Sequence, residues 1–191
     1  MSKLKVDQIS KATGASPAIF TLPAADGTVN QHLKTDGSGQ LGWATPVTNK
    51  PAFHVYLTAT QSIPNATYTK IQLETAILDT ASGFNLTASG TNPYAYTVSV
   101  AGTYLIQTSL SIDNMDSSEF ARLTVYKNGA RDYTADVSQY ADGTNDTIHI
   151  GKCFMMYLAV DDYIELWVYH NEGASQNITG VRNFLSGFKI L

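Results

Sequence analysis

Four histidines and one cysteine are the side chains of this 191-residue chain best suited to metal binding or nucleophilic chemistry. The histidines stand at positions 32, 54, 149 and 170, and none has Cys, Asp or Glu neighbours at the spacing of a zinc site. His149 and Cys153 are four residues apart, which in a strand is about 13 Å, too far for a Cys/His catalytic pair. We interpret all five as packing residues, and the sequence predicts no catalytic residues and no enzyme.

Carboxylates come closest to a binding motif between residues 113 and 119. Asp113, Asp116 and Glu119 place several oxygens in this short segment, and oxygen is the ligand that Ca²⁺ prefers. The spacing does not match an EF-hand loop, so we favour a solvated loop, with calcium as the open alternative and no other cofactor. Asp161 and Asp162 are adjacent between two predicted strands, and we interpret them as turn residues rather than an acid/base pair.

Aromatic rings supply the remaining candidate chemistry, because they can stack on sugars or dock a protein partner. Tyr133, Tyr140, Trp167 and Tyr169 are such candidates. Trp167 lies in the alternating apolar run 163–169, so we expect it to pack within the protein.

The elements that must position these residues are strands. Short runs of alternating apolar and polar residues recur between turn signals, as at 53–58, 96–101 and 163–169, and no long segment has helical periodicity. Asn128-Gly129 follows one such run and is a strong hairpin signal, because both residues tolerate positive φ. The sequence therefore predicts an all-β sandwich or jelly roll with almost no helix.

Charge and hydropathy exclude two classes of partner. Only 15% of the residues are charged, the net charge is −4, and no basic run exists, so nucleic acid has no electrostatic basis for binding. No segment approaches about 18 consecutive apolar residues, and the first residues lack the apolar core of a signal peptide. We expect no membrane insertion, and we expect synthesis in a cytoplasm.

The composition changes near residue 46. Residues 1–45 contain no Tyr, Arg or Glu, whereas all 11 Tyr lie between Tyr56 and Tyr169. The first part has too few large apolar side chains to fold alone, so it needs a partner surface. We predict an extended N-terminal segment at 1–45, a linker at 46–51 and a domain at 52–191.

Four motifs follow one another in the second part. They are an aromatic strand with its turn at 92–104, Leu-x-Val-x-Lys-Asn-Gly at 123–129, Leu-x-x-Asp-Asp-x-Ile-x-Leu at 158–166, and Phe-x-Ser-Gly-Phe at 184–188. In this order they resemble the globular head of complement component one-q, a relative of the tumour necrosis factor jelly rolls. Asp161 stands where that family has Gly, and Ala101 where it has Pro. The resemblance implies a ten-stranded jelly-roll sandwich that forms a homotrimer, with variable loops at the end far from the chain termini.

Residues 21–43 carry a second pattern. Leu22-Pro23 is followed by Asp-Gly-Thr at 26–28, Gln-x-Leu at 31–33, Thr-Asp-Gly-x-Gly at 35–39 and Leu-Gly-Trp at 41–43. This resembles a module of bacteriophage tail-fibre and related virion proteins, with Asn30 where Gly is usual. The resemblance implies a virion attachment or trimerisation segment, and the residues we expect to act in attachment are Leu22, Pro23, Leu33, Leu41 and Trp43.

Together the two resemblances predict a structural protein of a bacteriophage virion, made in the cytoplasm of the host bacterium. It would be a trimeric tail or head fibre, joined to other virion proteins through residues 1–45, with an outward knob that binds a glycan or protein of the host surface. Two alternatives stay open: a capsid decoration, collar or baseplate protein without a receptor role, and a polysaccharide depolymerase, for which the paired carboxylates are lacking.

The receptor is expected at loops 113–119, 131–146 and 171–182. The candidate residues are Asp113, Asp116, Glu119, Arg131, Tyr133, Tyr140, Asn171 and Arg182. Three weak sites on one trimer raise avidity without any single strong pocket.

Overall fold

The computed structural model describes residues 6–10, 19–46 and 50–190. The chain divides into two units, Met1–Thr48 and Asn49–Leu191. Every regular element in the described ranges is a strand, so this part of the chain has no helix that would span a membrane. The prediction of an all-β protein is confirmed.

The first unit contains two antiparallel pairs of short strands. β1 (Gln8–Ser10) pairs with β2 (Ile19–Thr21), and β3 (His32–Thr35) pairs with β4 (Leu41–Ala44). A parallel bridge between Thr21 and Gln40 joins the two pairs. None of the described residues of this unit is buried, so the unit has no hydrophobic core in its described part.

The second unit is a sandwich of two antiparallel sheets. Its strands are β5 (Ala52–Tyr56), β6 (Gln61–Ile63), β7 (Thr69–Lys70), β8 (Thr75–Asp79), β9 (Ala95–Thr97), β10 (Gly102–Met115), β11 (Phe120–Lys127), β12 (Ala130–Tyr140), β13 (Asp146–Leu158), β14 (Tyr163–His170), β15 (Gln176–Ile178) and β16 (Phe184–Lys189).

The first sheet runs in the order β13, β10, β16, β5 and β8. The short strand β15 also pairs with β10 and lies in the same row as β16, and β6 pairs with β15 and lies in the same row as β5. The second sheet runs β12, β11 and β14, with β7 and β9 both on the far side of β14. The jelly roll is confirmed. Its twelve strand segments form nine rows where ten strands were predicted, because β5 and β6, β7 and β9, and β15 and β16 each share a row.

The core lies between the two sheets and is built from alternate residues of each strand. Phe53, Val55 and Leu57 are buried as the alternation predicts, and the ring of Phe53 stacks on that of Tyr96 with centroids 4.0 Å apart. Gly187 of β16 is the register partner of Phe53. A Cβ atom added at this glycine would approach the Phe53 ring to 2.7 Å, so only glycine fits there.

Lys152 of β13 joins the edges of the two sheets. Its Nζ donates hydrogen bonds to the backbone carbonyls of Thr134 (2.6 Å) and Asp136 (2.8 Å) on β12. The longest edge strand of each sheet is thereby bound to the other.

Positive φ angles explain the turn residues that the sequence singled out. Asn128 and Gly129 have φ of 52° and 76°, which confirms the predicted hairpin between β11 and β12. Asn30 and Asp161, which stand where the resembling families have Gly, both have φ of 67°. These two positions therefore keep the left-handed backbone that glycine favours, and Asn and Asp are the residues that tolerate it best after glycine.

Asp162 holds the turn between β13 and β14. Its carboxylate accepts hydrogen bonds from the Asn128 side chain (2.7 Å) and the Ala159 amide (2.8 Å), and it lies 2.8 Å from Lys127 Nζ. Burial disfavours the charge on Asp162, but these donors outweigh it and lower its pKa to about 2. The predicted role of Asp161 and Asp162 in a turn, rather than in acid/base chemistry, agrees with this geometry.

Candidate functional site

Five of the eight predicted receptor residues gather at one end of the second unit. They are Asp113, Asp116, Glu119, Tyr140 and Asn171, and hydrogen bonds connect their loops. The Asn145 amide donates to the Asp116 carboxylate (3.0 Å), and the Phe120 amide donates to Asn171 Oδ1 (2.8 Å). The ring of Tyr140 lies against that of Phe120, with centroids 5.4 Å apart. The turns 116–119, 141–145 and 171–175 therefore form one loop cluster.

Protein donors bind the carboxylates of Asp113, Asp116 and Glu172, whereas Glu119 Oε2 is buried without a hydrogen-bond partner. Thr147 Oγ1 donates to Asp113 (3.0 Å), and the Asp116 amide donates to the carboxylate of Glu172 (2.7 Å). Within the described ranges, no group of three or more His, Cys, Asp and Glu side chains is placed to hold a metal ion. The calcium alternative stays a prediction that these observations do not favour.

Arg131 and Tyr133 lie away from the loop cluster. The predicted loop 131–146 is instead strand β12 as far as Tyr140, because β11 provides partners for residues 130–132 and 137–140. Only residues 141–145 form a loop. Arg182 is exposed in the turn between β15 and β16, so the eight residues occupy three separate places.

β12 carries a bulge of four residues that places Tyr133 outside the sheet. Leu123 of β11 pairs with Val137, and Val125 pairs with Asp132, so residues 133–136 all lie opposite Thr124 alone. Because a bulge re-aims the side chains that it carries, the ring of Tyr133 is 75% exposed. The sequence gives no signal for this, since the bulge depends on how two strands pair.

The guanidinium of Arg131 supports the Tyr133 ring. Its Cζ lies 4.7 Å from the ring centroids of both Tyr133 and Tyr68, and it forms an ion pair with Asp136. Burial disfavours the Asp136 charge, but the hydrogen bond from Arg131 outweighs it and lowers the pKa of Asp136. The Arg131 guanidinium thus contacts Tyr133, Tyr68 and Asp136 at the same time.

The outer face of the second sheet is aromatic. Tyr126 and Trp167 stack with centroids 4.4 Å apart, and Tyr68 packs on Tyr169 at 4.9 Å. Lys70 pairs with Glu165 beside Trp167. The prediction that Trp167 packs is correct, but it packs on this outer face, because Ile164, Leu166 and Val168 fill the opposite side of β14.

The outer face of the first sheet is apolar and open. Met155 and Tyr157 of β13 are 66% and 63% exposed, Phe188 of β16 is 47% exposed and Leu78 of β8 is 44% exposed. Leu105 of β10 lies between Met155 and Phe188 in the register. This sheet face, which we call the open face, was not among the predicted sites, although the alternation of β13 carries its signal.

Three of the five residues first considered for chemistry, His54, His149 and Cys153, also lie on the open face. The interpretation of His32, His149 and Cys153 as packing residues is wrong, because all three are exposed. His149 and Cys153 both belong to β13. Their strand pairs with β10 without a register shift between them, so no bulge brings them together. His170, in contrast, is buried as predicted: its Nε2 donates to the Ile63 carbonyl (2.9 Å) and its Nδ1 accepts from the Glu172 amide.

One of the predicted attachment residues, Trp43, connects two segments of the first unit. Trp43 Nε1 donates to the Ala25 carbonyl (2.8 Å), and its ring lies so close to Gly27 that a Cβ there would be 2.6 Å away. Leu33 and Trp43 are exposed, whereas Leu22, Pro23 and Leu41 are half-buried. All five therefore present apolar surface to the solvent.

Comparison with solved structures shows that the chain has the tumour necrosis factor-like jelly-roll fold. The structure of murine APRIL at pH 5.0 matches with a TM-score of 0.54 and 15% identity, over 74% of this chain and 100% of that chain. Eiger TNF from S. frugiperda matches with a TM-score of 0.53 and 12% identity, over 74% and 93%. No family model and no curated protein sequence matches the chain. At these identities the likeness is one of fold.

Proposed function

We propose that the chain is a structural protein of a bacteriophage virion whose second unit forms a homotrimeric knob for recognition of the host surface. The observation that carries the proposal is the open face of the first sheet. The resemblance to complement one-q heads implies three copies, and the jelly-roll fold agrees with it.

The two outer faces differ in how their side chains are covered. On the second sheet, cations and hydroxyls cover the rings: Arg122 donates to the hydroxyl of Tyr68 (3.0 Å), and Lys70 pairs with Glu165. On the open face, Met155 and Tyr157 stand largely in solvent. A contiguous apolar patch on a protein of low charge indicates an interface, so the open face packs against neighbouring copies.

The first unit needs partners for a related reason. It forms regular strands, yet none of its described residues is buried, and Val29, Leu33 and Trp43 are exposed. Hydrogen bonds between solvated strands contribute little net stability, so this unit becomes stable only against other chains. Those chains are other copies of it and the virion component to which it attaches, as its resemblance to tail-fibre modules implies.

The mass of the native protein in solution tests the trimer. Sedimentation equilibrium should give three times the chain mass for the wild type. Met155→Asp, on the open face, should give a folded monomer, because a desolvated carboxylate is costly in an interface. Tyr140→Asp, equally exposed on the other sheet, should stay trimeric. A monomeric wild type contradicts the proposal.

Competition for host cells tests the receptor role. Purified trimer should bind to host cells and slow the adsorption of virions, whereas Met155→Asp should do so poorly, because its three sites are no longer linked. A trimer that is found in the particle but binds no cells supports the alternative of a decoration, collar or baseplate protein.

A further inference from the structure

We propose that the bulge of β12 is a binding site for a neutral pyranose sugar, with Tyr133 as its stacking platform. The inference deepens the proposed function, since it names the class of host-surface ligand. It depends on four observations: the rigidity of the bulge, the open ring of Tyr133, the polar groups around that ring and the local balance of charge.

The bulge is held rigidly although it projects from the sheet. Asp132 Oδ1 accepts from the amide of Thr134 (2.8 Å) and from its hydroxyl (2.6 Å). Lys152 binds two carbonyls of the bulge from the facing strand, and Arg131 pairs with Asp136 across it. Ala135 is buried beneath. A platform held in this way loses little conformational entropy when a ligand binds.

The ring of Tyr133 has one supported face and one open face. The guanidinium of Arg131 lies over one side, and the ring as a whole is 75% exposed, so the opposite side meets solvent. A pyranose has an apolar face of C–H groups that packs on such a ring, and burial of two apolar faces is favourable. The neighbouring rings of this sheet pack on one another instead: Tyr126 on Trp167 and Tyr68 on Tyr169.

Polar groups surround the open ring where the hydroxyls of a sugar would lie. The exposed hydroxyl of Thr134 donates to Asp132 and so can accept from a ligand. The guanidinium of Arg131 has five N–H donors, of which those on Nε and Nη2 are directed at Asp136. The second oxygen of Asp132 and the hydroxyl of Tyr133 complete a rim of donors and acceptors. Few polar groups around an apolar platform are the usual composition of a site for small ligands.

The charges of the site cancel. Arg131 is neutralised by Asp136, and Lys152 is bound to backbone carbonyls next to Asp132. An anionic glycan would gain no net attraction, and a cationic ligand none either, which favours a neutral sugar. A protein partner is disfavoured because a protein interface requires an apolar core, and Tyr133 is the only large apolar side chain that residues 133–136 of the bulge expose.

Saturation-transfer NMR with the native protein tests the inference. The probes are the methyl pyranosides of glucose, galactose, mannose and N-acetylglucosamine. At least one sugar should show saturation transfer to its ring C–H protons. The signal should level off at high sugar concentration, and 0.5 M NaCl should not weaken the binding. Tyr133→Ala should weaken binding about tenfold or more, whereas Tyr133→Phe should keep most of it, because the ring is retained.

Gln139→Ala is the control, since it removes an exposed side chain from the same strand outside the bulge. It should bind the sugar as the wild type does, and both alanine variants should unfold at the wild-type urea concentration. The inference is overturned if none of the four sugars receives saturation, if Tyr133→Ala binds normally, or if Gln139→Ala loses binding equally. If the native protein binds host cells but none of the four sugars, the sugar site is refuted and the proposed function is not.

Discussion

Substituting Gly187 by alanine should destabilise the second unit, because the glycine is enclosed by core side chains. The added Cβ would lie 2.7 and 2.8 Å from two atoms of the Phe53 ring and 2.8 Å from Cδ1 of Ile106. Both neighbours are buried, and the Phe53 ring also stacks on the Tyr96 ring, with centroids 4.0 Å apart, which limits its freedom to move. Relief of the overlap needs a shift of most of an ångström in a close-packed core.

Overpacking of this kind costs about 1–3 kcal/mol, which for a unit of this size corresponds to a fall in Tm of roughly 3–10 °C. The cost should fall by about 1–2 kcal/mol in a Phe53→Leu background, because the smaller side chain leaves room for the methyl group. The two sites are in contact, so their effects are not expected to add.

Urea unfolding at equal protein concentration measures the effect, since assembly also contributes to stability. Gly143→Ala is the control: no atom lies within 4 Å of its added Cβ, and its free energy of unfolding should stay within about 0.5 kcal/mol of the wild type. If Gly187→Ala is as stable as Gly143→Ala, the enclosure of Gly187 by Phe53 is not what fixes this glycine.

Two further predictions concern the turns that join the strands. The pKa of Asp162 is lowered to about 2, so the stabilisation by its carboxylate is complete above about pH 4 and is lost as the pH falls towards 2. In urea titrations, the free energy of unfolding of Asp162→Asn should therefore fall by about 1–2 kcal/mol less on acidification than that of the wild type. Gly129→Ala should cost about 1–2 kcal/mol in the same assay, because φ is 76° and the Cβ would lie 3.1 Å from the Tyr163 hydroxyl; an unchanged midpoint would contradict the assignment of a left-handed turn.

Local sequence patterns predicted the strands and turns that depend on neighbouring residues. The alternation at 53–57 and the Asn128-Gly129 turn are examples, because side-chain period and φ preference are properties of the chain itself. At 71–74 apolar residues also alternate with polar ones, but no strand forms there. Ile71 and Leu73 are buried, but β7 ends at Lys70, since the Gln61 side chain bonds to the Lys70 carbonyl (2.7 Å) and the Gln72 amide (2.9 Å) in place of a strand.

The candidate sites were predicted less completely, because they depend on pairing between distant strands. Tyr133 was named as a candidate, but its support by Arg131 and Lys152 follows from the register of β11 with β12 and from the contact between two sheets. The open face likewise exists only once β13, β10 and β16 lie side by side. Periodicity shows that Met155 and Tyr157 share a side of β13, and it does not show which side is covered.

The bulge and Lys152 also bear on aggregation. β12 and β13 are long edge strands of 11 and 13 residues, and an unprotected edge of that length is a template for amyloid-like pairing with other chains. The bulge interrupts the regular spacing of β12, and the lysine occupies two of its carbonyls. A foreign strand therefore finds no continuous hydrogen-bonding ladder to extend along β12.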